Sequence, residues 1–199
     1  MKKKSLWALS MILLLCLFVV FGAGAEEKTI VAQGTCGAQG DNLTWMLDSE
    51  GTLTISGQGE MADTSSSLWQ SNATSIKSLV VEDGVTSIGN RAFNGCSSLT
   101  SVSIPEGVTS IGERAFNGCS SLTSVSIPEG VTSIGYHAFR KCWSRMSVNI
   151  PEGVTYIQEN TFEDCRALTS VTIPGSVTCV GCYAFSGCIA LKSVIIQEG

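Results

Sequence analysis

Cys179-Val-Gly-Cys182 has the spacing of a dithiol redox centre or of half a zinc site. A structural zinc site needs a second such pair, and the 199 residues hold none. A thioredoxin-type centre needs a strand–helix–strand setting, which the flanking residues do not spell. The pair is therefore read as a local disulfide or as two exposed thiols. Cys36 has no partner by spacing. Cys96, Cys119, Cys142, Cys165 and Cys188 recur at a constant step, each three positions after a phenylalanine. An even cysteine count in an exported chain suggests disulfides. The repeated place beside phenylalanine instead predicts small, buried, unbridged hydrophobes.

Catalysis has little to work with. His137 is the only histidine, and it stands where Arg91 and Arg114 stand two steps and one step earlier, a surface slot. No set of nucleophile, base and orienting acid converges, so no enzyme, no cofactor and no metal are expected. Gly57-Gln-Gly59-Glu-Met-Ala62 matches a dinucleotide fingerprint, but Asp63-Thr-Ser-Ser-Ser67 follows as loop where a helix is required. Asp83, Glu106, Glu129 and Glu152 share one turn position, interrupted by Gly175 and resumed at Glu198. One carboxylate per unit supplies few of the oxygens calcium wants, so this column is read as solvated turns.

The remaining candidates are contact surfaces. Charged residues are only 15% of the chain, whereas 27 serines and 17 threonines make its polar surface a hydroxyl one. Ser101, Ser103, Ser124, Ser126, Ser147, Asn149, Ser170 and Thr172 fall on outward strand positions and form the candidate binding face. A second column runs Thr86, Thr109, Thr132, Thr155 and Thr178. A flat threonine array of the ice-binding kind is disfavoured, because the neighbouring rank is Ser87, Ser110, Ser133, Tyr156 and Cys179.

These residues are positioned by a repeat. Phe93, Phe116, Phe139, Phe162 and Phe185 are spaced by 23, as are Val85, Val108, Val131, Val154 and Val177. Arg91 to Gly112 is identical to Arg114 to Gly135. In one unit, Leu99, Val102 and Ile104 suit a short core-facing strand, which Pro105 ends. Val108 and Ile111 return to the core, and Gly112 to Phe116 reads as a short helical turn. A single unit cannot bury its apolar edge, so units stack into a solenoid with parallel strands about 4.8 Å apart. The phenylalanines and cysteines form its core.

The motif Leu-x-x-Val-x-Ile-Pro-x-x-Val-Thr-x-Ile-Gly-x-x-Ala-Phe-x-x-Cys resembles the BspA-like leucine-rich repeat family, over roughly residues 76–199. The resemblance implies a right-handed β/α coil of short parallel strands and short helical turns. It also implies an exported or surface-displayed protein, since some family members are implicated in adhesion to host proteins.

Three segments are expected. Residues 1–25 read as a signal peptide: Lys2-Lys3-Lys4, an apolar run from Leu9 to Phe21, and a small-residue cleavage site at Ala23-Gly24-Ala25. Residues 26–75 read as a β-rich N-terminal cap, with a hairpin turn at Asp48-Ser49-Glu50-Gly51 and Met61–Ser75 as loop. Residues 76–199 read as about five coils with an open C-terminal end, where Ile195 replaces an outward polar residue and invites self-association. Loss of the three lysines with the leader would take the net charge of −5 to about −8, which disfavours nucleic acid, and no membrane span would remain. The expectation is a secreted or cell-surface binding module for protein or glycan. The rival reading is a structural spacer, or a fragment of a longer surface array.

Overall fold

The computed structural model describes residues 28–66, 68–144 and 148–198; the expected leader lies outside them. Within this range no helix is long and apolar enough to cross a membrane. The chain begins with antiparallel strands β1 (Ile30–Gly37), β2 (Gly40–Asp48) and β3 (Thr52–Gly57), followed by the short β4 (Gly59–Glu60). Asp48 closes the β2–β3 turn, its Oδ1 accepting the Glu50 and Thr52 N–H groups at 3.0 and 2.8 Å.

From there each coil adds two strands. They are β5 (Ser78–Val81) and β6 (Val85–Ile88), β7 (Ser101–Ser103) and β8 (Ser110–Ile111), β9 (Ser124–Val125) and β10 (Ser133–Ile134). Then come β11 (Val148–Asn149) and β12 (Tyr156–Ile157), β13 (Ser170–Ile173) and β14 (Cys179–Val180), and finally β15 (Ser193–Ile196). The first ladder runs β1-β2-β3-β5-β7-β9, and its parallel part starts where β5 adds to β3. The second runs β4-β6-β8-β10. Registers such as Ser101↔Ser124 and Ile111↔Ile134 place each residue beside its equivalent in the next repeat.

The third side of each coil is built from turns, which corrects the expectation of short helical turns. Its backbone donors alternate in direction. Ala92, Asn94 and Cys96 donate within the turn to Gly89, Arg91 and Phe93, at 3.1–3.3 Å. Arg91, Phe93 and Gly95 donate to Glu113, Ala115 and Asn117 of the next coil, each at 2.8 Å. A helix would need every donor for itself. The alternation is maintained by a left-handed residue in each coil: Arg91, Arg114, His137, Asn160 and Tyr183 all have φ between 54 and 58°.

The core is a set of columns. Phe93, Phe116, Phe139 and Phe162 are fully buried and stack ring on ring at 5.3–5.6 Å. The column extends past the five phenylalanines: Trp69 is buried and stacks on Phe93 at 5.3 Å, and Trp45 closes it edge-on at 5.4 Å. Trp69 thus takes the place of a phenylalanine in a further, earlier coil, one more than the sequence expectation of about five. At the other end Phe185 and Cys188 are only half-buried, although the pattern placed them in the core with the rest. No described coil packs over them from the far side.

Both strand ladders break at the same place. Among the described residues no pairing joins β9 to β11 or β10 to β12, and the strands resume as β11-β13-β15 and β12-β14. The glycine column explains the second break. A Cβ on Gly112, Gly135 or Gly181 would lie 2.5–2.7 Å from a backbone nitrogen of the preceding coil. In the coil after β10 that position is Gln158, whose Cβ cannot take up the same approach. The first break follows residues 143–146, Trp-Ser-Arg-Met, which replace the Ser-Ser-Leu-Thr of the two preceding units.

Candidate functional site: outward faces of the coils

The candidate face lies along the first ladder. Ser101, Ser103, Ser124, Ser126, Asn149 and Ser170 are exposed and Thr172 is half-buried; Ser147 lies outside the described residues. Between each outward pair a valine points inward, Val102 and Val125 being buried, so strand alternation sets the exposure. Direct pairing joins Ser78, Ser101 and Ser124 in one run and Ser170 and Ser193 in another. The ladder break divides the face into two blocks.

The threonine columns differ in kind from these serines. Thr109 and Thr132 each send both the backbone N–H and the hydroxyl to the carbonyl of the threonine one coil back, at 2.9–3.3 Å. Thr178 does the same to Thr155, and Thr100 and Thr123 bond Lys77 and Thr100 in this way. These hydroxyls stitch neighbouring coils and are already engaged. Sequence reasoning counted the column of Thr109, Thr132 and Thr178 as surface chemistry and did not single out Thr100 or Thr123; only the backbone register reveals their partners.

Charge is segregated between the two turns of the coil. Asp83, Glu106, Glu129 and Glu152 are exposed on one edge. The arginines lie on the third side, where Glu113 is shared by Arg91 and Arg114, and Glu163 takes Arg140 at 2.6 Å. Hydrogen bonding to Arg140 pulls the Glu163 carboxyl below its usual range despite partial desolvation. Among the described residues no group of three or more His, Cys, Asp or Glu side chains is arranged to hold a metal ion.

His137 sits on this side in the left-handed conformation, half-buried and edge-on to Tyr136 at 4.2 Å. Desolvation, then Arg114 and Arg140, lowers its pKa. The Gly57–Ala62 segment does not open a helix. Gly57 and Gly59 have φ of 126 and 102°, and a Cβ on Gly57 would lie 2.2 Å from the Asn42 carbonyl oxygen. A shallow cleft of about 490 Å³ lies between Glu60–Asp63 and Ser87–Asn90. Its main polar groups are engaged: Asp63 Oδ1 accepts the Asn90 N–H at 2.8 Å, and Asn90 Oδ1 accepts the Glu113 N–H at 2.6 Å.

The core cysteines have a specific task. Cys119, Cys142, Cys165 and Cys188 each point Sγ at the carbonyl of the phenylalanine one coil back, at 3.2–3.5 Å. Each carbonyl also accepts a backbone N–H from its own turn, and its second lone pair takes the thiol. Alanine would leave both the sulfur's volume and that lone pair unfilled.

A family model for the BspA-type leucine-rich repeat region matches residues 66–198 in six copies. The chain belongs to this BspA-type leucine-rich repeat family. The first copy begins just before Trp69, in agreement with the extra ring in the core column. Among solved structures the chain is similar to a leucine-rich repeat protein of Eubacterium ventriosum, with 27% identity and a TM-score of 0.71 over 83% of this chain and 44% of that one. It is also similar to the leucine-rich repeat protein of T. pallidum, with 23% identity and a TM-score of 0.57 over 76% of this chain and 89% of that one. A leucine-rich repeat protein of Bacteroides ovatus gives 22% identity and a TM-score of 0.55, over 87% and 53% respectively. This BspA-type chain therefore spans less than half the length of the Eubacterium ventriosum protein. No curated protein matches it.

Proposed function

We propose that this BspA-type chain is a non-enzymatic binding module, exported to the cell surface or beyond, that holds an extended protein or glycan against its first ladder. The observation that carries this reading is the difference between the two kinds of hydroxyl. The threonines bond their neighbouring coils, whereas Ser101, Ser103, Ser124 and Ser126 are exposed and make no side-chain hydrogen bond to any described residue. Near-identical coils offer the same small contact several times over, so affinity would grow by multivalency. The low charge of the face predicts weak salt dependence.

The test is an array of glycans and matrix proteins probed with the purified protein, repeated after deletion of one whole unit, Leu99 to Ser121. A graded loss of affinity supports the reading. Complete loss on that deletion, or on Ser124→Ala alone, means one discrete site and refutes multivalency.

A second reading, a spacer or a section of a longer array, is favoured by the 44% share of the Eubacterium ventriosum protein that this chain spans. In either case β15 presents Val194, Ile195 and Ile196 at 48, 55 and 74% exposure, and an apolar strand edge associates. Light scattering of this chain should show dimers or larger species, and Ile195→Lys should reduce them. A monomer at high concentration would refute that association.

A further inference from the structure

The cysteines of the described residues fall into two groups. Cys36, Cys96, Cys119, Cys142 and Cys165 are buried and Cys188 is half-buried, whereas Cys179 and Cys182 are exposed. Burial pushes the Cys36 thiol up to about 11 and those of Cys119, Cys142 and Cys165 well above their ordinary range, so the core column holds few thiolates.

The exposed pair straddles the end of β14. Cys179 lies directly beside Tyr156 in the parallel register. Two residues on, the Gly181 N–H donates to Ile157 O at 2.8 Å and the chain turns. Cys182 opens that turn, its carbonyl accepting the Asn160 N–H at 3.1 Å. This is also a loosely held part of the coil. β14 pairs with β12 on one side and with no described strand on the other. Val180 is 45% exposed, where Ile88, Ile111, Ile134 and Ile157 are buried. A disulfide demands a narrow range of Cα separation, and a strand held from one side can shift to meet it.

We propose that Cys179 and Cys182 form a thiol–disulfide exchange site, closed to a disulfide by a low-molecular-weight disulfide of the glutathione class. One thiolate attacks a sulfur of the small disulfide, and half of that molecule leaves as a thiol. The second cysteine thiolate attacks the protein-bound sulfur of the mixed disulfide and expels the other half. The two cysteines lose two electrons and two protons, and the small disulfide gains both. A physiological supply of such disulfides rests on the export reading above; the exchange itself does not.

The experiment is incubation of the reduced, folded protein with oxidised glutathione, followed by acid quench, denaturation, alkylation and peptide mass spectrometry. The expected product is a Cys179–Cys182 peptide lighter by two hydrogens and closed to alkylation until dithiothreitol is added, with the core cysteines fully alkylated. Cys182→Ser should stop at one glutathione on Cys179. Wild-type protein that carries a glutathione on each cysteine without bridging, that does not react, or that bridges core cysteines instead, overturns the proposal. Circular dichroism of the serine variant, altered only at an exposed position, checks that its fold is retained. Failure here leaves the ligand-binding reading intact, because the assay contains no ligand.

Discussion

The coils carrying Phe116 and Phe139 contain two nearly identical stretches, while the coil that follows breaks the pattern at Trp143, Arg145 and Gln158. Between the regular coils all the connections are present: both strand ladders, the turn ladder, the stacked rings and the thiol–carbonyl bonds. At the irregular coil both strand ladders are lost. The turn ladder continues across the gap, with Phe139 N–H on Thr161 O at 2.9 Å and Lys141 N–H on Glu163 O at 2.8 Å. Phe139 still stacks on Phe162, at 5.6 Å against 5.4 Å for the preceding pair, and Cys165 still bonds Phe139. The strand ladders are therefore the replaceable part of the coil-to-coil contact. The core columns and the turn side hold where the sheets fail.

The largest effect should come from breaking a column. Phe116 is fully buried between two parallel rings, and Phe116→Ala should cost about 3–5 kcal/mol in chemical denaturation. Glu113→Ala, which removes half-exposed ion pairs to Arg91 and Arg114, should stay within about 0.5 kcal/mol. Equal midpoints for the two variants would mean that the column does not carry the contact.

A pair of substitutions at the glycine position tests the ladder side of the comparison. Gly135→Gln should import the break into the regular region, because a Cβ there meets Glu113 N at 2.5 Å. Overpacking of this kind costs about 1–3 kcal/mol. The converse, Gln158→Gly, should let β12 approach β10 and raise stability by up to about 1 kcal/mol, since the regained ladder bonds are partly offset by the chain entropy of glycine. Hydrogen exchange gives the sharper reading. The Thr155 amide should become as protected as that of Thr132, which donates to Thr109 at 2.9 Å. Unchanged exchange at Thr155 would place the cause of the break elsewhere.

Much of this was legible in the sequence, and what was not has physical reasons. One constant spacing, read through Phe, Cys, Val and Ile, is sufficient to place the columns, because each core position must face its equivalent in the next coil. Trp69 escaped because it lies one position ahead of the place that the Phe93 spacing marks and is a different residue type; only the stack reveals its equivalence. The helical reading of Gly112–Phe116 failed because whether a backbone donor turns inward or reaches the next coil is decided between coils. The hydroxyl of Thr109 was misjudged for the same reason. Gln158 could have been read: Gly112, Gly135 and Gly181 mark a position that tolerates no side chain, and a glutamine there announces a gap.

The smallest effect concerns His137, which occupies the left-handed slot that bears Arg114 one coil earlier and Asn160 one coil later. Desolvation, with Arg114 and Arg140 nearby, lowers its folded-state pKa below the ordinary 6.5, while Glu163 and Glu113 oppose the shift more weakly. The unfolded chain therefore takes up the proton first as pH falls. Stability should decline as pH drops through about 6.5 and stop declining once the folded-state pKa is passed, where both states are protonated. His137→Asn removes the titration and keeps a residue that accepts positive φ, so it should flatten this part of the pH–stability curve while leaving stability near pH 8 almost unchanged. The effect should be slight, because the side chain is only half-buried and solvent screens the flanking charges. A wild-type curve with the same slope as the variant between pH 7 and 5 would show that the arginines do not discriminate against the imidazolium. The left-handed slot of the Phe139 coil would then be electrostatically no different from the same slot in its neighbours.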